Sequence, residues 1–291
     1  MTFAGAHTAL VTPFRNGQFD TEAFRQLIEA QIAGGISGII PVGTTGESPT
    51  LDHDEHLKVI EVAIQTANKR CLVIAGTGSN STSEAISLTQ AAEKAGADAA
   101  LLVAPYYNKP SQEGLYRHFK AIAEAVKIPI VLYSIPGRCG IEIGVETTAR
   151  LAKDFKNIVA IKEAGGSVER VNQLRNALPA SFQILSGDDS LTLPFMSVGA
   201  VGVISVASNI IPAEVSRMVR HYLAGESSNA LEIHQKYYPL FKDLFIEPNP
   251  VPAKFVLARL GKMTGEVRLP LCEMTPASVQ RLTETLSRIG L

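Results

Sequence analysis

The first 224 residues alternate short apolar, β-branched runs with amphipathic stretches. This alternation selects a parallel sheet whose strands are connected by helical crossovers. Several runs are apolar without a period of two, as expected for strands that are buried on both faces. We predict eight strands, at residues 8–11, 38–42, 72–75, 99–104, 130–134, 158–161, 182–186 and 201–206.

Helix start and stop signals separate these runs. Four intervening segments begin after Asp20, Asp52, Ser81 and Ser111, which are residue types that cap helices, and two of the segments end in glycine. Eight βα units in about 210 residues favour a (β/α)8 TIM barrel over an open doubly wound sheet.

The strand pattern stops after about residue 224. The remainder has a helical pattern, broken at the prolines of 248–252 and at 268–270. The total length suits either one large domain with an appendage or two domains. We predict a catalytic barrel over 1–224 and a C-terminal helical domain over 225–291.

Charge and hydropathy exclude several classes of partner. The chain has 27 Lys and Arg against 28 Asp and Glu, so we expect no nucleic-acid partner. No apolar run approaches the ~20 residues that span a bilayer. The first residues lack the basic segment of a signal peptide, and the three cysteines, Cys71, Cys139 and Cys272, form no CxxC pair. We therefore expect a cytoplasmic protein with reduced thiols.

The residues at the ends of the strands are the candidates for chemistry, because active sites of such barrels lie at the carboxyl ends of the strands. Lys162 follows the sixth run without a turn residue, so strand alternation places it on the same face as Ile158 and Ala160. Burial in the barrel mouth can lower the pKa of an amine from ~10.4 toward ~7. The free amine can then condense with a ketone. A salt-bridged lysine at a strand end is the alternative.

Hydroxyl groups and one guanidinium follow other strands of the predicted barrel. Tyr133 and Tyr107 follow neighbouring strands, and with Thr44 they can form a proton relay, although half-buried packing is equally consistent with them. The turn at Thr44 and Thr45 offers backbone N–H groups to a carboxylate. Arg138 can hold a second carboxylate, or it is a surface arginine.

Other patterns point to no additional chemistry. The sequence His53-Asp54-Glu55-His56 is not the H-E-x-x-H motif, and no third metal ligand is evident. Residues 76–78 lack the third glycine of a dinucleotide-binding fingerprint. Motifs for phosphate-binding loops and nucleophile elbows are absent. These patterns favour neither a metal site at the two histidines nor a nucleotide cofactor.

The chain resembles the dihydrodipicolinate synthase family, a group of pyruvate-dependent class I aldolases. The resemblance extends from about residue 5 to the C-terminus. It rests on GTTGES at 43–48, PYYNKP at 105–110, YSIPGR at 133–138, IKEA at 161–164, LSGDD at 185–189 and FIEPNP at 245–250.

The resemblance implies a reaction and a set of residues. Pyruvate would form a Schiff base with Lys162, and its enamine would attack L-aspartate-4-semialdehyde, which is the first committed step of the diaminopimelate route to lysine. Tyr133 would transfer protons through Thr44 and through Tyr107 from a neighbouring subunit. The implied substrate-binding residues are Thr45, Arg138, Gly187 and Ile204.

The resemblance also implies regulation and assembly. L-Lysine would bind at a subunit interface and inhibit the enzyme, and the chain would form a homotetramer built from tight dimers. The residues that match lysine-binding positions are Ser48, His53, His56, Asn80, Glu84 and Tyr106.

Three residues depart from the family pattern and concern the second substrate: Ser134, Cys139 and Gly165. A related aldolase or lyase for sugar-derived acids, such as an N-acetylneuraminate lyase or a 2-keto-3-deoxy sugar acid aldolase, is therefore the alternative enzyme. A catalytically silent sensor of pyruvate or lysine is the alternative from another class.

Overall fold

The computed structural model describes residues 1–291 and contains a closed barrel of eight parallel strands. Each barrel strand pairs with the barrel strands before and after it in the chain, and the last pairs with the first. The (β/α)8 prediction is confirmed. The strands are β1 Gly5–Ala9, β2 Phe14–Arg15, β3 Gln18–Phe19, β4 Gly38–Ile40, β5 Leu72–Gly76, β6 Ala99–Val103, β7 Ile130–Ser134, β8 Ile158–Glu163, β9 Gln183–Ser186 and β10 Gly202–Ser205.

Twelve α-helices accompany the strands. They are α1 Thr21–Ala33, α2 His53–Ala67, α3 Thr82–Ala95, α4 Gln112–Ala125, α5 Pro136–Cys139, α6 Val145–Asp154, α7 Val168–Ala177, α8 Thr192–Ser197, α9 Pro212–Leu223, α10 Ser227–Asp243, α11 Val251–Arg259 and α12 Pro276–Ile289. All four predicted caps are confirmed, since the side chains of Asp20, Asp52, Ser81 and Ser111 each accept a hydrogen bond from a first-turn backbone N–H. None of the helices combines the length and the apolar character needed to cross a membrane.

Two features near the N-terminus differ from the prediction. We placed the first strand at 8–11, whereas β1 is Gly5–Ala9. The apolar Leu10 and Val11 suggested a later strand, but the ladder is set by pairing of His7 with Gly38 and of Gly5 with Gly202. The antiparallel hairpin β2–β3 was not predicted, because its two-residue strands are too short to show a period.

The strand that contains Lys162 has a register irregularity. The pairing of β7 with β8 shifts by one residue, which leaves Val159 as an extra residue in β8. We expected Ile158 to share the face of Lys162, and this was wrong, because the bulge turns Ile158 toward the surrounding helices. Ala160 lies inside the barrel, so alternation from there onward directs Lys162 inward as predicted.

Apolar side chains fill the barrel interior. Phe3 lies at the amino end of the strands, where it is completely buried and its N–H donates to Gln183 Oε1 at 2.6 Å. The interior is therefore a packed core rather than a pore, and the carboxyl ends of the strands form its open side. The buried residues of this core are Phe3, Ala9, Ile40, Ile74, Ala99, Leu101, Val131, Tyr133, Ala160, Leu185 and Ile204.

The C-terminal helices pack against the barrel. Helix α10 packs on α9, and α12 packs on α10. Ala230 and Leu282 belong to the same hydrophobic cluster as the outer faces of the barrel strands. Asp243 fastens α10 to α12 by accepting from Arg281 Nε at 3.0 Å and from Thr285 Oγ1 at 2.7 Å. The helical prediction for this region is confirmed, and its separation as a second domain stays a prediction.

The close approach of β1 and β10 predicts one position at which an added side chain lowers stability. A Cβ at Gly202 would lie 1.8 Å from the Gly5 carbonyl oxygen. We expect Gly202→Ala to lower the free energy of unfolding by about 3 kcal/mol, because backbone rather than a flexible side chain must move. Urea denaturation measures this change. Gly265→Ala is the control, since its Cβ would meet only Ala258 Cβ at 3.4 Å. Equal stability of the two variants would contradict this close approach.

Candidate active site

Lys162 lies at the carboxyl end of β8 with only 6% of its surface exposed. It is paired with Tyr133 in the neighbouring strand β7, and its Nζ lies 4.2 Å from the centroid of the Tyr133 ring. Inward alternation on two adjacent strands thus brings the amine and the phenol into contact.

The electrostatic environment of Lys162 favours the neutral amine. Burial lowers the pKa of Lys162 to about 7. The carboxylate of Asp189 opposes this change, and the positive charge of Arg138 adds to it. A large fraction of Lys162 is therefore unprotonated at neutral pH, which is the form that attacks a carbonyl group.

Burial shifts the pKa of Tyr133 in the opposite direction to that of Lys162. Burial raises the pKa of Tyr133 to about 12, against the opposing effects of the Arg138 charge and of a hydrogen bond with Thr44. The phenol is protonated at neutral pH, so it can donate a proton to an oxygen atom held beside Lys162.

A cavity of about 230 Å³ opens beside Tyr133, and Lys162 contacts the Tyr133 ring without itself lining the cavity. Thr44, Tyr133 and Arg138 line it, so the structure brings these three predicted residues together. Two residues that match lysine-binding positions, Ser48 and Tyr106, line the same cavity. Its other lining residues are Val42, Gly43, Pro49, Gly76, Gly78, Leu101, Val103, Ile135 and Cys139.

The turn at 43–47 has an unusual backbone. Residues Thr44–Gly46 form a single 3₁₀ turn, and the flanking Val42 and Glu47 both have positive φ, 51° and 54°. Positive φ is unfavourable for a β-branched residue and persists only where surrounding contacts enforce it. Thr45 lies within this turn and is buried.

The C-terminal segment supplies those contacts. Asn249 Nδ2 donates to Thr45 Oγ1 at 2.9 Å. Glu47 forms a buried ion pair with Lys254 and accepts from the Arg268 backbone N–H at 3.0 Å. The turn is therefore held from the side of α11 and the loop that follows it.

Gly187 and Asp189 border the amine on the side of β9. A Cβ at Gly187 would lie 3.1 Å from Lys162 Cε, so glycine leaves room for the lysine. Asp189 is buried and accepts from Ser205 Oγ at 2.5 Å and from the backbone N–H groups of Val206 and Ala207 at 3.0 Å each. Ile204, another predicted residue, is buried in the barrel interior.

Tyr107 lies apart from the other candidate catalytic residues. It does not line the cavity of its own chain, and 90% of its surface is exposed. Its φ of 73° is in the left-handed region. Within a single chain, therefore, Tyr107 cannot join Tyr133 and Thr44.

The remaining lysine-binding candidates form two groups. His53 Nε2 lies 2.7 Å from Glu84 Oε1, and Asn80 Nδ2 donates to the Tyr106 carbonyl at 3.2 Å. His56 is buried, and its Nε2 lies 2.9 Å from the Gly76 carbonyl oxygen.

The three departures from the family pattern have different surroundings. Cys139 lines the cavity, its Sγ donates to the Ala104 carbonyl at 3.2 Å, and burial raises the pKa of its thiol to about 11. Ser134 is buried and accepts from a backbone N–H at 3.4 Å. The Gly165 N–H donates to Glu163 at 2.7 Å, and a Cβ there would lie 2.6 Å from that oxygen.

The sequence analysis missed a buried network next to Lys162. Glu163 is fully buried and accepts from Arg170 Nε at 2.8 Å, and Arg170 also reaches Glu142 at 2.8 Å. The network ties β8 to the loop after α5. Arg170 has an ordinary helical position in the sequence, so no local signal distinguishes it. Lys254 was missed for the same reason, whereas Asn249 lies in the quoted FIEPNP motif without a residue-level signal for its contact.

No group of three His, Cys, Asp or Glu side chains is arranged to hold a metal ion. His53 and His56 in particular bond to different partners, Glu84 and the Gly76 carbonyl. The cavity is lined by a phenol, hydroxyl groups and a guanidinium, and the amine of Lys162 lies next to the phenol of Tyr133.

Comparisons with known proteins agree with this geometry. The model of the dihydrodipicolinate synthetase family matches residues 2–289. A 4-hydroxy-tetrahydrodipicolinate synthase from Syntrophus aciditrophicus (strain SB) is 53% identical over 289 residues, covering 99% of both chains. The solved structure of such a synthase from Methylacidiphilum fumariolicum SolV has 57% identity and a TM-score of 0.98, covering 99% of this chain and 96% of that one.

Two further structures were solved with ligands. A dihydrodipicolinate synthase from Cyanidioschyzon merolae with lysine bound has 44% identity and a TM-score of 0.96, covering 99% of both chains. A chloride-inhibited enzyme from Acinetobacter baumannii complexed with pyruvate has 45% identity and a TM-score of 0.97, covering 99% of both chains. The chain thus belongs to the dihydrodipicolinate synthetase family and is a lyase of the class I aldolase type.

Proposed function

We propose that the protein condenses pyruvate with L-aspartate-4-semialdehyde to form 4-hydroxy-tetrahydrodipicolinate, as the first committed step of lysine biosynthesis in the cytoplasm. The observation that carries the proposal is the buried Lys162, whose pKa of about 7 supplies a free amine next to a protonated phenol. The relatives named as 4-hydroxy-tetrahydrodipicolinate synthases and the pyruvate complex from A. baumannii support the choice of substrates.

The first half of the reaction forms the Schiff base. Lys162 Nζ attacks the ketone carbon of pyruvate, and Tyr133 gives its proton to the oxygen and takes one from the nitrogen. Tyr133 then gives this second proton to the hydroxyl group, which leaves as water, and it recovers a proton from the pyruvate methyl group in the next step. The resulting iminium withdraws electrons from the neighbouring methyl group, which loses a proton and becomes an enamine. The iminium acts as the electron sink, so no metal or organic cofactor is needed.

The second half forms the carbon–carbon bond. The enamine carbon attacks the aldehyde carbon of the semialdehyde, and the aldehyde oxygen accepts a proton from Tyr133. The amino group of the semialdehyde then attacks the iminium carbon and closes the ring, the bond from that carbon to Lys162 Nζ breaks, and the proton released from the attacking nitrogen returns to Tyr133. Thr44 passes protons to Tyr133, as their hydrogen bond allows.

Carboxylate recognition is assigned to two parts of the cavity. The pyruvate carboxylate binds to Thr45 and to the backbone of the turn at Thr44 and Thr45. Arg138 lines the cavity and binds the semialdehyde carboxylate, for which a guanidinium fork is well suited. The main chain of Gly187 and Ile204 forms the wall behind Lys162.

Tyr107 requires a second copy of the chain. An exposed tyrosine that is held in left-handed backbone completes the relay only by entering the cavity of another subunit. We propose that a tight dimer is the smallest active unit and that two dimers form a homotetramer.

L-Lysine is proposed as an inhibitor that binds beside the same cavity. The hydrogen bonds from Ser79 and His53 lower the pKa of Glu84, so its carboxylate is charged and can attract the lysine ammonium. Tyr106 and Ser48 connect this region to the cavity lined by Tyr133 and Thr44. The lysine-bound relative from C. merolae supports lysine as a ligand.

Borohydride trapping tests the proposed chemistry. Reduction in the presence of pyruvate should add about 72 Da to the wild type, because the iminium is converted to a stable secondary amine. Intact mass spectrometry measures the adduct, and peptide mapping should place it on Lys162. Condensation of pyruvate with aspartate semialdehyde, compared with cleavage of 2-keto-3-deoxy sugar acids to pyruvate, then identifies the substrate by product formation.

Two variants define the controls for this trapping. Lys162→Met should give no adduct, whereas Lys254→Arg keeps the other buried lysine position charged and should still give one. An adduct on Lys162→Met, or its absence from the wild type, would exclude Schiff-base chemistry at Lys162.

Calorimetry tests the proposed lysine site. We expect Glu84→Ala to weaken L-lysine binding about tenfold or more, because a charge-assisted hydrogen bond is lost. Glu124→Ala removes an exposed carboxylate from α4 and should leave the affinity unchanged. If the wild type binds no lysine, or if both variants bind it equally, the proposed site is wrong.

A further inference from the structure

Asn249 reaches the catalytic barrel from the C-terminal part of the chain. Its Nδ2 donates to Thr45 Oγ1 at 2.9 Å across a sequence separation of 204 residues. Asn249 and Thr45 are only 6% and 4% exposed, so water does not compete for this bond. The contact is the direct link between the C-terminal segment and the hydroxyl that we assign to the pyruvate carboxylate.

The direction of this hydrogen bond fixes the role of the hydroxyl. A threonine hydroxyl has one proton to donate and two lone pairs that accept. Since Thr45 Oγ1 accepts from Asn249, its own proton is directed elsewhere and is available to a carboxylate oxygen. An acceptor in place of the Asn249 amide would instead take that proton.

The other end of the Asn249 amide has no partner. Asn249 Oδ1 is buried and makes no hydrogen bond. A buried, unpaired acceptor costs free energy, so stability alone does not account for an asparagine at this position. The amide is explained by what its Nδ2 does to Thr45.

The elements on both sides of the contact are rigidly held. Lys254 forms its buried ion pair with Glu47 and donates to the Glu266 carbonyl at 2.9 Å. The charged groups of Lys254 and Arg268 lie 4.2 Å and 4.1 Å from the centroid of the buried Phe14 ring. The distance between Asn249 and Thr45 therefore cannot relax easily when substrate binds.

We infer that Asn249 is a positioning residue: it orients the Thr45 hydroxyl so that the hydroxyl donates to the carboxylate of the 2-oxo acid substrate. The C-terminal segment thereby sets the affinity for the first substrate without touching it. This inference rests on the proposed function, since it assumes that pyruvate binds at the turn containing Thr45.

Two substitutions at Asn249 separate orientation from packing. Asn249→Asp keeps the size of the side chain but has no N–H donor, so it accepts the Thr45 proton and repels the carboxylate. Asn249→Ala removes the bond and leaves the hydroxyl free to rotate. If Asn249 only filled space, the alanine variant would be the more affected of the two.

The measurement is the pyruvate concentration that gives half-maximal borohydride-trapped adduct on Lys162, which needs no second substrate. We expect this concentration to rise about tenfold for Asn249→Ala and about 100-fold for Asn249→Asp, as expected from the loss of hydrogen bonding to a charged group. The KM for the semialdehyde and the kcat at saturating pyruvate should change less than threefold.

Asn157→Ala is the matched control. Like Asn249, Asn157 donates from its side-chain amide, here to the Ala123 and Val126 carbonyls. It lies at the amino end of β8, away from the site. Its pyruvate dependence should equal that of the wild type. An Asn249→Asp variant with wild-type pyruvate dependence, or one affected less than Asn249→Ala, would overturn the inference. Absence of any adduct on the wild type would instead overturn the proposed function.

A double-mutant cycle gives a second test that does not require the aspartate variant to fold. Thr45→Val removes the hydroxyl, so adding Asn249→Ala to it should raise the half-maximal pyruvate concentration no further. Independent, multiplicative effects of the two substitutions would contradict the assignment of Asn249 to the orientation of Thr45.

Discussion

An ammonium group loses its hydration inside a packed barrel, and Lys162 occupies such a position at the end of β8. A fall in its pKa from 10.5 to about 7 corresponds to roughly 5 kcal/mol against the charged form. Burial above the apolar interior of the barrel produces this effect, and the positive charge of Arg138 adds to it. The same burial keeps Tyr133 protonated. One physical cause therefore creates both a nucleophile and a proton donor.

A carboxylate lies near the buried amine and partly offsets the effect of burial on its pKa. Asp189 is near enough to moderate the loss of charge, and its own carboxylate is held by Ser205 and two backbone N–H groups. In the proposed mechanism this carboxylate would also stabilise the positive charge of an iminium on Lys162.

The C-terminal helices contribute to the site although none of their residues lines the cavity. Their contacts converge on the turn at 43–47. Glu47 in this turn and Val42 just before it have unfavourable positive φ. Strain of this kind persists where the neighbouring structure enforces it. The buried pair of Glu47 with Lys254 is one such constraint, and loss of either partner would leave an uncompensated buried charge.

Local patterns in the sequence account for much of this architecture. Apolar runs located seven of the eight barrel strands within two residues, and capping residues located the starts of four helices. Position at a strand end was enough to select Lys162 and Tyr133. The bulge at Val159 escaped prediction because a register shift depends on the neighbouring strand.

Contacts between distant parts of the chain were also not predicted from the sequence. Asn249 and Lys254 act on residues about 200 positions away, and periodicity carries no information about such pairs. The resemblance marked the segment around Asn249 as characteristic but did not say what it contacts. The exposure of Tyr107 likewise depends on how the loop after β6 folds.

The pKa of Lys162 is the quantity on which this account depends most. Its Nζ can be followed by NMR in protein labelled with ¹⁵N-lysine, with Lys162→Met to assign the signal. The amine should lose its proton as the pH rises through about 7. A midpoint near the ordinary lysine value of ~10.4 would contradict the account, because the amine would then be protonated and unreactive at neutral pH.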